Sequence, residues 1–171
     1  MRKRVLVIDG YNVIHGSPEL AGRLACGLEA GRTALIRHCA EWRQRRRDFA
    51  AVCIVFDGDS SVSGYGNDAS GGVEVRYTAT KEEADDRIRA LIDGEFDGAE
   101  CVVVTDDRPL ADAVRSRGCG VMAVDEFCAA LRGSRASAQR DRGDSSVKTG
   151  LAPEAVRRIN DELRRRWGVA D

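Results

Sequence analysis

Short, nearly continuous apolar runs punctuate the chain: VLVI at 5–8, AVCIVF at 51–56, VEVRY at 73–77, CVVVT at 101–105 and GVMAV at 120–124. Runs of this length, rich in β-branched residues, predict strands buried on both faces, as in a parallel sheet. Helical spacing lies between them. Ala34, Leu35, Cys39 and Trp42 form one stripe over 30–47. Ala84, Ile88, Leu91 and Ile92 form a second over 81–93, and Leu110, Ala111 and Val114 a third over 108–117. Strand and helix alternating through short joints predict right-handed crossovers and a three-layer α/β/α sandwich around a mainly parallel sheet.

Outside these segments the pattern loosens. The stretch DGDSSVSGYGNDASGG after the second run reads as a surface loop. After Leu131 the chain turns polar and aperiodic, then regains a short apolar stripe in Val156, Ile159, Leu163 and Trp167, with Pro153 at a helix start. The expected organisation is one domain over 1–131, followed by a polar linker and a basic amphipathic helix over 132–171. A length of 171 residues suffices for one real core. Charge sharpens the division. Residues 132–171 hold ten Lys/Arg against six Asp/Glu, a net of +4, leaving 17 against 22 in 1–131, within an overall charge of −1. An acidic body with a basic tail fits a carboxylate-lined site beside an appendage that attracts nucleic acid; it also fits a solvated tail with no partner, the reading composition alone favours. The six cysteines form no CxxC pair and read as reduced thiols of a cytoplasmic protein. Asp9 ends the first apolar run too early for a signal peptide, and no apolar run is long enough to span a membrane.

In a parallel α/β sheet, ligands bind where the carboxyl ends of the strands emerge. Acids gather at that edge. Asp9 closes the first run and Asp57 the second, Asp106 and Asp107 close the fourth, and the helix after the third opens with Glu82, Glu83, Asp85 and Asp86. Each has a local explanation. Asp-Gly after a strand makes a turn. Thr80 with Glu83 makes a capping box. Asp86 suits the positive end of a helix dipole. Thr105 or Asp106 suits the cap of a helix starting near Pro109. Together, however, the acids would repel one another, and a divalent cation relieves that. An all-oxygen set without His or Cys points to Mg²⁺ or Mn²⁺ rather than zinc. Two such ions about 3.5–4 Å apart would clamp the attacking and leaving oxygens of a phosphodiester. Asn12, three positions after Asp9, could orient a ligand without adding charge.

The segments VLVIDGYNVIHG, IVFDG, GVEVRYTATKEEADDRI and VVVTDDRPLADAVRSRG resemble the YacP-like NYN domains of the PIN-like nuclease superfamily, from Val5 to about Leu131. The late LAPEAVRRINDELRRR is similar to the C-terminal helix of those proteins. The resemblance implies a PIN-like fold and a metal-dependent endoribonuclease. By motif it makes Asp9, Asp85 and Asp107 the metal-holding catalytic acids, and Asn12 the family's asparagine. Asp107 follows from its place two positions after Thr105, which with Asn12 belongs to the substrate-facing set. Asp57 matches the acid of the family's FDG turn and joins the catalytic set by that resemblance. The chain departs from many PIN-like proteins at Pro109, where a further acid is usual, which implies an incomplete second metal site. Lys81, Arg87 and Arg108 flank the acids and are candidates for substrate phosphates.

The expected reaction is hydrolysis of an RNA phosphodiester, in RNA processing or mRNA decay, leaving a 5′-phosphate and a 3′-hydroxyl. Its partner is single-stranded RNA, mRNA on the ribosome included. Other enzyme classes lack their signatures. Tyr11 occupies the place of the second aspartate of a haloacid-dehalogenase site, no GxxxxGK[ST] is present, and GYGNDA opens no helix. The rival is an RNA-binding module with the same fold and no cleavage, in which WRQRRR at 42–47 and the tail arginines do the work. For WRQRRR a solvated helix end is an equal reading. His15 and His38 lack companions for acid–base work and read as structural.

Overall fold

The computed structural model describes residues 4–58, 72–78, 83–96 and 98–133. The expectations placed on the loop 59–71, on Thr80, Lys81 and Glu82, and on the C-terminal linker and helix lie outside the described residues. The described elements all belong to one compact unit, Met1–Arg135. In chain order they are β1 (Arg4–Asp9), α1 (Gly10–Gly16), α2 (Pro18–Leu24), α3 (Leu28–Arg45), β2 (Phe49–Phe56), β3 (Val73–Tyr77), α4 (Ala84–Gly94), a 3₁₀ turn (Gly98–Glu100), β4 (Cys101–Val104), α5 (Arg108–Arg115) and β5 (Gly120–Met122). Residues 124–133 are helical and are called α6.

The strands form one parallel sheet in the order β3-β2-β1-β4-β5. All five expected strands are present within two residues of their predicted ends, and α3, α4 and α5 carry the predicted stripes. The near-continuous apolar runs have the predicted cause: both faces of the sheet are covered. On one face Leu6 and Ile8 of β1 and Ile54 of β2 meet α1, α2, α3 and α6. On the other, Val7, Cys53 and Val55 meet α4 and α5. Each large side chain so buried contributes about 1.5–3 kcal/mol. Trp42 centres the first layer, its ring 5.3 Å from Phe49 and 5.6 Å from Phe127.

Helices α1, α2 and α6 are absent from the sequence expectation. α1 and α2 are seven residues each, too short to show a stripe, and local hydrogen bonds define them instead. Asp9 caps α1. Ser17 caps α2, accepting from the Leu20 N–H at 3.4 Å, with Pro18 in the first turn. α1 also needs a close approach at its start. A Cβ on Gly10 would fall on the Phe56 ring at the end of β2, so the turn out of β1 fits only glycine.

Gly10→Ala would raise helix propensity. It is nevertheless expected to destabilise the chain by about 1–3 kcal/mol, because the added methyl overpacks against Phe56. Denaturant titration reads this as a lower midpoint with an unchanged slope; an unchanged midpoint would contradict the contact.

Candidate active site

β1 lies between β2 and β4. The chain builds β2 and β3 on one side of it, then passes through α4 to β4 and β5 on the other. Strand order therefore reverses at β1, and a crevice opens between the carboxyl ends of β1 and β4, the usual ligand position in such sheets.

Asp9 is the last residue of β1 and only 7% exposed. Its Oδ1 accepts the Asn12 backbone N–H at 3.2 Å, which caps α1. The Asn12 side chain points elsewhere: its Oδ1 accepts the Asp106 N–H at 3.1 Å, tying the β1 connection to the β4 connection. The DGYN motif is thus both a turn and a joint across the crevice. Beyond β4, buried Thr105 accepts the Asp107 N–H through Oγ1 at 3.0 Å. Asp107 is itself the cap of α5, Oδ1 accepting from Leu110 N–H at 2.8 Å. Asp106 turns to α6, accepting the Val124 N–H at 2.9 Å. The expected cap, Thr105 or Asp106, is therefore corrected to Asp107, since both candidates are committed to other N–H groups.

The third group of acids comes from β2 and α4. Asp57 follows β2, and its Oδ1 accepts the N–H of Ala84, the first residue of α4. The neighbouring Gly58 N–H donates to Thr78 Oγ1 at 3.0 Å. The expected capping box is corrected here as well. Glu83 is the cap residue rather than the third helical one, its side chain makes no cap bond, and Asp57 serves that end from another strand. Asp85 stands in the first turn of α4, 3.9 Å from Arg89. Exposed Asp86 pairs with the same Arg89 at 2.9 Å.

Electrostatics show which acids meet. Burial, opposed by the bond from Asn12 and helped by Asp85, Asp57 and Asp107, pushes Asp9 up to about 6. Asp85 is raised by partial burial, then by Asp107 and, more weakly, by Asp57, with Arg89 opposing. Asp9, Asp57, Asp85 and Asp107 thus share one field. Of the expected cations, Arg108 is exposed at the start of α5. Arg87 acts on Cys53 and Glu95, while Arg89 is the cation beside Asp85. Lys81 lies outside the described residues. Among the described residues no three His, Cys, Asp or Glu stand close enough to hold a metal ion by themselves. The donor set still suits a hard cation of the Mg²⁺ kind, which binds through one or two carboxylates and fills its shell with water and substrate oxygens. Asp9, Asp57 and Asp107 each give one oxygen to a backbone N–H, which fixes the carboxylate.

One residue of this edge escaped the sequence reading. Arg32 of α3 is 8% exposed, and its Nε donates to Tyr11 Oη at 2.8 Å. Its guanidinium lies 5.4 Å from the Tyr11 ring, 5.7 Å from Phe56 and 5.3 Å from Tyr77. The signal available was an arginine on the apolar stripe of α3, three residues before Leu35. Among the described residues no helix is long and apolar enough to cross a membrane.

Comparison with known proteins places the chain. The profile of the YacP-like NYN domain matches residues 6–168. The "uncharacterized protein YacP" of Bacillus subtilis (strain 168) is 33% identical over 87 residues, 51% of this chain and 50% of that protein. The match thus spans about half the length of that curated relative. Two crystal structures of Rae1 (YacP) from Bacillus subtilis share the fold. One of them, a tryptophan-to-leucine point mutant, superposes with a TM-score of 0.70 at 26% identity over 90% of each chain. The other gives 0.68 at 25% over 96% of this chain and 92% of that one.

Two outcomes follow from the geometry. An acid whose pKa is higher in the folded chain than in the unfolded one holds its proton more tightly when folded. The stability Asp9 contributes is therefore full below about pH 4 and lost as pH rises through about 6, a difference of about 3 kcal/mol. Asn caps a helix as well as Asp does. In metal-free buffer Asp9→Asn should thus be the more stable chain at pH 7.5 and equal to wild type at pH 4. Denaturant titrations at the two pH values check this, and equal stability at both would contradict the buried charge. Asp57→Ala should cost about 1 kcal/mol, the loss of a cap, measured by thermal unfolding.

Proposed function

The chain belongs to the YacP-like NYN domain family, a nuclease-like and RNA-related one, and from that premise we propose that it is a metal-dependent endoribonuclease. The observation that supports this reading most is the meeting of four carboxylates at the switch-point crevice, three of them pressing on buried Asp9. A protein that only binds RNA gains nothing from unrelieved negative charge there. Asp9, Asp85 and Asp107 would hold Mg²⁺ or Mn²⁺, in part through water. When bound, the cation supplies positive charge to the phosphodiester and lowers the pKa of a water that attacks phosphorus.

The residues of the chain do the positioning. The Asn12 N–H fixes the Asp9 carboxylate, and Thr105 fixes the backbone from which Asp107 projects. Asn12 keeps the two connections in register across the crevice. Asp57 sets the start of α4, and so the place of Asp85. Arg108, Arg87 and Lys81 are the proposed phosphate contacts. The substrate is single-stranded RNA, mRNA on the ribosome included, cut to a 5′-phosphate and a 3′-hydroxyl.

Purified chain should cleave a mixed RNA pool with Mn²⁺ and not with EDTA. Asp9→Asn and Asp107→Asn, which keep both caps, should lose at least about 100-fold in rate while binding RNA as well as wild type or better. Millimolar Mn²⁺ should raise the melting temperature of wild type by mass action, and less so for Asp85→Asn. Activity that survives EDTA, or a wild type that binds RNA and never cuts it, removes the proposal; the second result identifies a binding module.

A further inference from the structure

Arg32 is a cation buried without a counterion among the described residues. A guanidinium carries five N–H donors, and among the described residues only its Nε has an acceptor, the Tyr11 hydroxyl at 2.8 Å. Three rings surround the charge, and they come from three neighbouring connections: Tyr11 two residues after β1, Phe56 at the end of β2, Tyr77 at the end of β3. All three are at the carboxyl edge that carries the acids. The rings fix one another, Tyr11 edge-on to Phe56 at 5.3 Å and Phe56 stacked on Tyr77 at 5.8 Å. Burying an arginine is costly unless its remaining donors are satisfied. Among buried side-chain polar atoms of the described residues, only Arg43 Nε lacks a partner. Neither terminal nitrogen of Arg32 stands among the fully buried atoms without a partner, and the side chain keeps a small exposed surface.

We propose that Arg32 is a substrate-anchoring residue: its two terminal nitrogens take the non-bridging oxygens of a backbone phosphate of the single-stranded RNA that enters the acidic crevice. A planar fork held by rings and by one hydrogen bond matches a phosphate bidentately and loses little freedom on binding. Half-buried Tyr11 and Tyr77 flank it and hold the guanidinium in place. The anchor also answers a problem of the site. Four acids repel a polyanion, and a cation set one and two strands away from the crevice draws the RNA backbone across it. The choice of RNA rests on the nuclease reading; the anion site itself rests on the cage.

The test uses the full chain carrying Asp85→Asn, in EDTA, with a short single-stranded RNA titrated at several salt concentrations. Adding Arg32→Met should weaken binding about tenfold or more and reduce the slope of log K against log salt by about 0.7, one phosphate contact. Adding Arg32→Lys should weaken binding while keeping most of the slope, since the charge stays and the fork goes. A folded Arg32→Met or Arg32→Lys chain with parental affinity and slope overturns the proposal and leaves Arg32 as a staple between α3 and the sheet, which only its melting temperature would reveal. If neither variant folds, the Arg32 Nε–H resonance of the Asp85→Asn chain decides: RNA should shift it, and a resonance that does not move overturns the proposal. Failure of the nuclease reading looks different. A wild type that never cuts RNA, while Arg32 carries the salt slope, removes the enzyme and keeps the anchor. A wild type that cuts RNA with Arg32 dispensable does the reverse.

Discussion

A carboxylate buried at the end of the central strand sets the terms for everything around it. Asp9 closes the one strand that pairs with β2 on one side and β4 on the other, where desolvation is most costly for a charge. The chain meets that cost with the first turn of α1, whose Asn12 N–H points at Oδ1. Asn12 then spends its own side chain on the Asp106 backbone, Asp106 on α6, Thr105 on the Asp107 backbone, and Asp107 on α5. These bonds are the joints of the fold and the supports of the site at once. Removing a side chain breaks both, and changing Asp to Asn separates charge from support.

Most of the scaffold was legible in the sequence because it follows from burial. AVCIVF could only be a strand covered on both faces, and Ala84, Ile88, Leu91 and Ile92 only a helix lying on one; both are so. The gathering of acids was legible too, since a parallel sheet sends every strand end to the same edge. What escaped was local geometry fixed by single bonds between distant parts. GYNVIHG is too short for periodicity to speak. Glu83 looked like a capping partner for Thr80 because sequence spacing shows only neighbours, whereas the group that serves α4 is Asp57, 27 positions earlier. Whether the acids hold a cation is a question of ångströms that spacing does not address.

The arginines make the same point in reverse. WRQRRR stood open between a solvated helix end and an RNA contact. In the fold, Arg43 reaches the carbonyls of Arg46 and Ala50 at 2.9 and 2.7 Å, and Arg46 grips Asp48 and lies over Trp42 and Phe49. Two of its arginines are thus committed to the turn that leads into β2. Arg32, alone among Thr, Ala and Leu, drew no notice, yet it sits at the edge where charge has chemical meaning. A conspicuous run of like charges can be architecture, and one cation on an apolar stripe can be the more specific feature.

The position of β1 has a consequence for how the chain is made. It is the first strand of the sheet to leave the ribosome, and its second flank stays open until β4 is made. One flank can be covered once β2 emerges, but Val5 pairs with Cys101 on the other, about 100 residues later. At about 5–20 residues per second, that flank waits for roughly 5–20 seconds with Leu6, Val7 and Ile8 beside it. An unpaired apolar edge is a template for another nascent chain. Substitutions in CVVV at 101–104 would therefore act on yield during synthesis as well as on the stability of the finished fold.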